Sequence, residues 1–186
     1  MSYLRTFLPW IIFAVLPSGS WQWAALAALV VAVAVIAQQV RTGTGFDALI
    51  IELGSAVFFA ALAVMAFADP HSAVHDYSAA LSSGTLAVIA GGSLAIGKPF
   101  TLGIAKRTTP REVWELKPFI RTNVVITAVW TVAFALTALV LAVVAHAGNA
   151  HSTSATLIQI AGFAAPMIFT VRYVAHVQAK AAETAR

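Results

Sequence analysis

Cysteine is absent from this 186-residue chain, so disulfides, thiolate metal sites and thiol catalysis are all excluded. Charge is nearly as scarce. Eleven basic and seven acidic residues make up only 10% of the chain, and 60% is hydrophobic. A soluble domain cannot cover its surface with so few charges at a mean hydropathy of +0.87. The solvent for most of this chain is therefore lipid. Catalytic signatures are missing too: no hydrolase elbow, phosphate loop, His-Glu-x-x-His helix or dinucleotide fingerprint occurs. That argues against an enzyme, and no cofactor is expected. The net charge of +4 does not point to nucleic acid, because the basic residues sit beside apolar spans, where they set orientation and meet lipid head groups.

Six apolar segments can be cut from the sequence, at 3–16, 21–38, 46–68, 77–96, 119–146 and 156–177. The last five reach the roughly 20 residues needed to cross the hydrocarbon. The first is short and carries Pro9. It lacks a small-x-small cleavage pattern and is expected to be retained rather than removed as a signal peptide. Pro17-Ser18-Gly19-Ser20 makes it one arm of a tight hairpin. Lys and Arg alternate strictly among the connections. Arg5 precedes the first span, Arg41 follows the second, six basic residues lie between Lys98 and Arg121, and Lys180 and Arg186 close the chain. The first, third and fifth connections have none. The expected architecture is a single all-α membrane domain over 1–186, a six-helix transmembrane bundle with a short first span, and the positive-inside rule puts both termini on the cytoplasmic side.

Within the spans, small residues at Ser83, Ala87, Gly91 and Ala95 recur every four positions, beside Ala80, Gly84 and Gly92, and predict a close helix–helix contact. A homo-oligomer is a further expectation. Pro166 predicts a kink after Gly162. Glu52, with Asp47 nearer the surface, is an acid about two turns into the third span, and such groups are costly in lipid and usually functional. Arg172 lies at similar depth in the sixth span. The expected intramembrane polar network joins Glu52 and Arg172 with Asp47, Asn123, Gln159 and His176, either as a structural clamp between helices or as a proton or cation site.

Two further groups stand out. Thr109-Pro110-Arg111-Glu112 reads as a capping box with proline at the first helical position, predicting a short interfacial helix near 110–117. Lys98, Lys106, Arg107, Arg111, Trp114, Lys117 and Arg121 would there contact anionic lipid or a cytoplasmic partner. On the opposite side, His71, His75, His146 and His151, accompanied by Asp69 and Asp76, are candidate ligands for zinc or a similar metal.

The opening Phe7-Leu8-Pro9-Trp10-Ile11-Ile12-Phe13 resembles the start of the intracellular septation protein A (YciB-like) inner-membrane proteins. Gly97-Lys98-Pro99-Phe100, Val113-Trp114 and the ending Arg172-Tyr173-Val174-Ala175-His176 are similar as well. The resemblance implies a small multi-pass protein of the bacterial plasma membrane, associated with envelope maintenance and septation and without an established chemistry; the leading expectation is a non-enzymatic protein acting through helix partners and lipid. The competing expectation is a small oligomeric transporter or channel with its polar site around Glu52 and Arg172.

Overall fold

The computed structural model describes residues 2–16, 18–43 and 49–184. Seven helices are found among them, and no strand: α1 Ser2–Val15, α2 Trp21–Arg41, α3 Ile50–Ala68, α4 Val74–Ala95, α5 Phe100–Lys106, α6 Lys117–His146 and α7 Thr153–Thr184. Five of them, α2, α3, α4, α6 and α7, are long and apolar enough to cross a membrane. The chain is an all-α, polytopic membrane bundle. At 1.5 Å per residue, the 14 residues of α1 reach only about 21 Å, short of a roughly 30 Å hydrocarbon core.

The long helices alternate in direction. α1 continues the alternation and so runs parallel to α3: Thr6 meets Glu52, Trp10 meets Ser55 and Phe13 meets Phe59. The basic residues therefore collect at one end of the bundle and most histidines at the other. Helix ends are set locally. Gly97 (φ 71°) and Gly148 (φ 74°) follow α4 and α6 in the left-handed region. Each turn closes as a Schellman motif, with Lys98 N–H on the Ser93 carbonyl and Asn149 N–H on the Val144 carbonyl.

α1 is short but buries Phe7 and Trp10 in the bundle. Its Phe7 stacks on Trp130 of α6, centroids 5.2 Å apart and planes 12° apart, and meets Phe163 of α7 edge-on. Trp10 packs on Phe58 and Phe59 of α3. Trp130 is wholly buried, and its indole N–H donates to Thr170 Oγ1 at 3.0 Å. The outside is as apolar as the inside: Val30, Val57, Val64, Val88, Leu139 and Val143 are all exposed. Inward and outward faces that are both apolar fit a bundle bathed in hydrocarbon, where small residues and shape, rather than water exclusion, bring helices together.

The most extensive helix interface joins α4 and α6. A Cβ on Gly84 would meet Ala138 at 3.8 Å, and one on Gly91 would meet Thr131 at 3.2 Å. The contact expected from the four-residue stripe is there, but its last member, Ala95, is exposed where α4 runs out. α7 is one continuous helix through Pro166, and Thr170 Oγ1 donates to the Pro166 carbonyl at 2.7 Å.

Candidate functional site

Glu52 is the polar centre of the bundle. α3 begins at Ile50, which puts Glu52 in the first turn rather than two turns into a span. There the unpaired N–H groups and the helix dipole favour a carboxylate. It is 3% exposed. Three donors from three different segments converge on its Oε1: Thr6 Oγ1 of α1 at 3.0 Å, Gln39 Nε2 of α2 at 2.9 Å, and Arg107 Nη2 just beyond α5 at 3.2 Å. The Arg107 side chain is 18% exposed, so the ion pair is largely dehydrated. The oxygen of the same Gln39 amide, Oε1, is buried and has no hydrogen-bond partner among the described residues.

The charge that meets Glu52 is thus Arg107, a residue expected at the head groups, and not Arg172. Arg172 and His176 are exposed on α7. Matched depth was a poor guide, because a helix has two faces at every depth and Arg172 lies on the outer one. Asn123 is buried, but its amide donates to the Phe119 carbonyl in its own helix, and its backbone carbonyl accepts from Thr101 Oγ1. Gln159 lies at the opposite end, lining a cavity beside His75 and His151. Asp47 falls outside the described residues. Thr6 and Gln39 were not singled out in the sequence. Gln38-Gln39, a polar pair at the foot of an otherwise apolar run, was the available signal.

The basic end holds a second arrangement. The segment 98–121 contains a helix that the sequence did not announce, α5, whose first turn is capped when Ser93 Oγ accepts from Phe100 N–H at 3.1 Å. Thr109 does not form the expected capping box. Its hydroxyl donates back to the Ala105 carbonyl at 2.8 Å, and only a single 3-10 turn, Arg111–Val113, follows. The expected helix near 110–117 is thus not formed, and Pro118 sits in the first turn of α6. Trp114 is fixed by its indole N–H on the Thr109 carbonyl, 3.0 Å. Lys106 Nζ and the Arg111 guanidinium lie over its ring, 5.2 and 5.6 Å from the centroid. The two cations and the ring form a compact cation–π shelf. Lys98, Lys117 and Arg121 are exposed around it. A groove of about 740 Å³ opens alongside, between this segment and α7, with Val113, Leu116, Ile126, Val171 and Val174 among its walls.

At the other end the four expected histidines separate into two groups. His75 lies in the first turn of α4 and His151 in the turn before α7, with ring centroids 4.6 Å apart. Asp76 Oδ1 is 3.1 Å from His151 Nε2. His71 precedes α4, so it shares no helix face with His75; its backbone N–H is taken by Asp69 Oδ1. His146 is 3.4 Å from the Tyr77 hydroxyl. Comparison with protein-family models, curated proteins and solved structures finds no match for this chain.

Proposed function

We propose that this chain is a non-catalytic multi-pass protein of the bacterial plasma membrane that serves the cell envelope, in septation or envelope maintenance, through lipid and helix partners. The observation that carries the reading is the state of Glu52. Its charge is met inside the bundle by Arg107 and two neutral donors, above a core filled by Phe7, Trp10, Phe59 and Trp130. That is the arrangement of a tie between helices rather than of a path through them. The Lys106–Trp114–Arg111 shelf gives the basic end a surface suited to anionic head groups, each cation adding on the order of 1 kcal/mol near such a surface. The likeness to septation protein A proteins at both ends of the sequence supports the envelope role.

The test is a pair of assays on full-length protein. Proteoliposomes carrying wild type or Glu52→Gln should pass protons and small cations no faster than empty vesicles. Native mass spectrometry should show anionic lipid retained by wild type and shed by the Lys106→Gln/Arg111→Gln double variant. Flux that depends on Glu52 would overturn the reading. It would establish instead the small transporter, for which the buried Oε1 of Gln39 beside the carboxylate, without a hydrogen-bond partner among the described residues, is the supporting observation.

A further inference from the structure

Away from the Glu52 tie, the bundle brings together three groups with the donor chemistry of a metal site. We propose that His75, Asp76 and His151 bind a divalent transition cation of the zinc class at the end of the bundle opposite the basic segment. This inference stands independently of the envelope role.

The site is assembled by topology. His75 and Asp76 are neighbours in the first turn of α4, and His151 arrives from the α6–α7 turn, 75 residues beyond Asp76. The extensive packing of α4 on α6 carries that turn to the start of α4. One ligand atom from each of the three lies within 4.8 Å of the others. Ligands at about 2.0–2.2 Å around tetrahedral zinc stand roughly 3.4 Å apart. The Asp76 Oδ1–His151 Nε2 separation of 3.1 Å is already near that edge length, and closing the whole set from within 4.8 Å takes a shift of at most about 1.4 Å. Asp76 and His151 are exposed and have room to adjust.

The surroundings favour the same reading. The His75 ring is stacked on Trp21, centroids 5.2 Å apart at 21°. Trp21 is itself held by its indole N–H on the Pro70 carbonyl at 2.9 Å. A ligand ring oriented by a fixed neighbour loses little freedom on binding metal. His75 and His151 also line a cavity of about 220 Å³ whose polar walls include Ser78 and Gln159. Phe13 and Ala14 at the end of α1, and Leu16 just beyond it, also line the cavity. It has room for several waters, which gives a cation held by three protein groups its fourth ligand. Two imidazoles and one carboxylate without thiolate select zinc, or nickel or copper in its place, over magnesium and calcium.

The experiment uses the full chain purified without a polyhistidine tag, dialysed against zinc and then against metal-free buffer, with metal counted by mass spectrometry. Wild type should retain about one zinc per chain and magnesium should not replace it. His151→Ala and Asp76→Asn, both surface changes, should lose most of that zinc while keeping the wild-type elution volume and helical circular dichroism. His71→Ala and His146→Ala should retain it. Cobalt in place of zinc should give visible bands of tetrahedral intensity in wild type and not in His151→Ala. Zinc retained equally by wild type, His151→Ala and Asp76→Asn would overturn the assignment. So would equal loss across all four variants, which would mark scattered histidine binding.

Discussion

The Glu52–Arg107 pair can be tested by a double-mutant cycle, with Arg172 as the competing partner. Arg107→Gln leaves a carboxylate that is 3% exposed without its countercharge. Breaking a buried pair from one side costs about 3–5 kcal/mol. Glu52→Gln should be milder. The new side-chain oxygen still accepts from Thr6 and Gln39, and the stranded guanidinium, 18% exposed, can turn toward water, so the expected loss is about 1.5–3 kcal/mol, the worth of a charged hydrogen bond. The double variant removes both charges and should cost less than the sum of the two by about 2 kcal/mol. That coupling would stand well above the roughly 0.6 kcal/mol average for hydrogen bonds between membrane helices. Arg172→Gln, on the exposed face, should stay within about 0.5 kcal/mol. Reversible unfolding in mixed micelles, followed by the summed fluorescence of the chain's five tryptophans, reads all four. Additive losses at positions 52 and 107, or a larger loss from Arg172→Gln than from Arg107→Gln, would refute the assignment.

Gly162→Ala should weaken the α6–α7 contact by about 1–3 kcal/mol, because the added methyl would lie 2.8 Å from Thr137 Cγ2; Thr137→Ala in the same chain should recover most of the loss in a thermal melt. Phe7→Ala removes the ring at the centre of the α1, α6 and α7 aromatic cluster and should cost about 3–5 kcal/mol, measured in the same unfolding assay. Trp130→Phe deletes the indole donor to Thr170. Thr170 keeps its own bond to the Pro166 carbonyl, so the loss should be near 1 kcal/mol, and a loss comparable to that of Phe7→Ala would show that the hydrogen bond is not the main role of this side chain.

The division between what the sequence and the fold each specify follows the range of the forces involved. The length and position of α2, α3, α4, α6 and α7 were legible because burial of a continuous apolar run in hydrocarbon, with every backbone group paired inside its own helix, is a property of that run alone. The alternation of basic connections was legible for the same reason, and it matches the observed gathering of Arg5, Arg41 and the 98–121 segment at one end. α5 was hidden: seven residues carry too little periodicity to mark a helix, and its start depends on Ser93, seven positions away from Phe100. The capping box at Thr109 was a correct local option that lost to a competing bond to the Ala105 carbonyl.

Partner choice was decided only in three dimensions. Composition alone required that an acid such as Glu52 be compensated, since an isolated charge in that setting is too costly to leave unmet. Which cation compensates it depends on the azimuth of each helix and the path of a loop, and those come from packing; the turn after α5 brings Arg107 inward while α7 leaves Arg172 exposed on its outer face. The histidines follow the same logic. Their presence at one end of the bundle was written in the sequence, but the meeting of His75 and Asp76 with His151, and the exclusion of His71 and His146, arise from α4 lying on α6. Membrane residence and the five long apolar helices are sums over local transfer energies and so belong to the sequence, whereas contacts between residues 55 or 75 positions apart belong to the tertiary structure that brings them together.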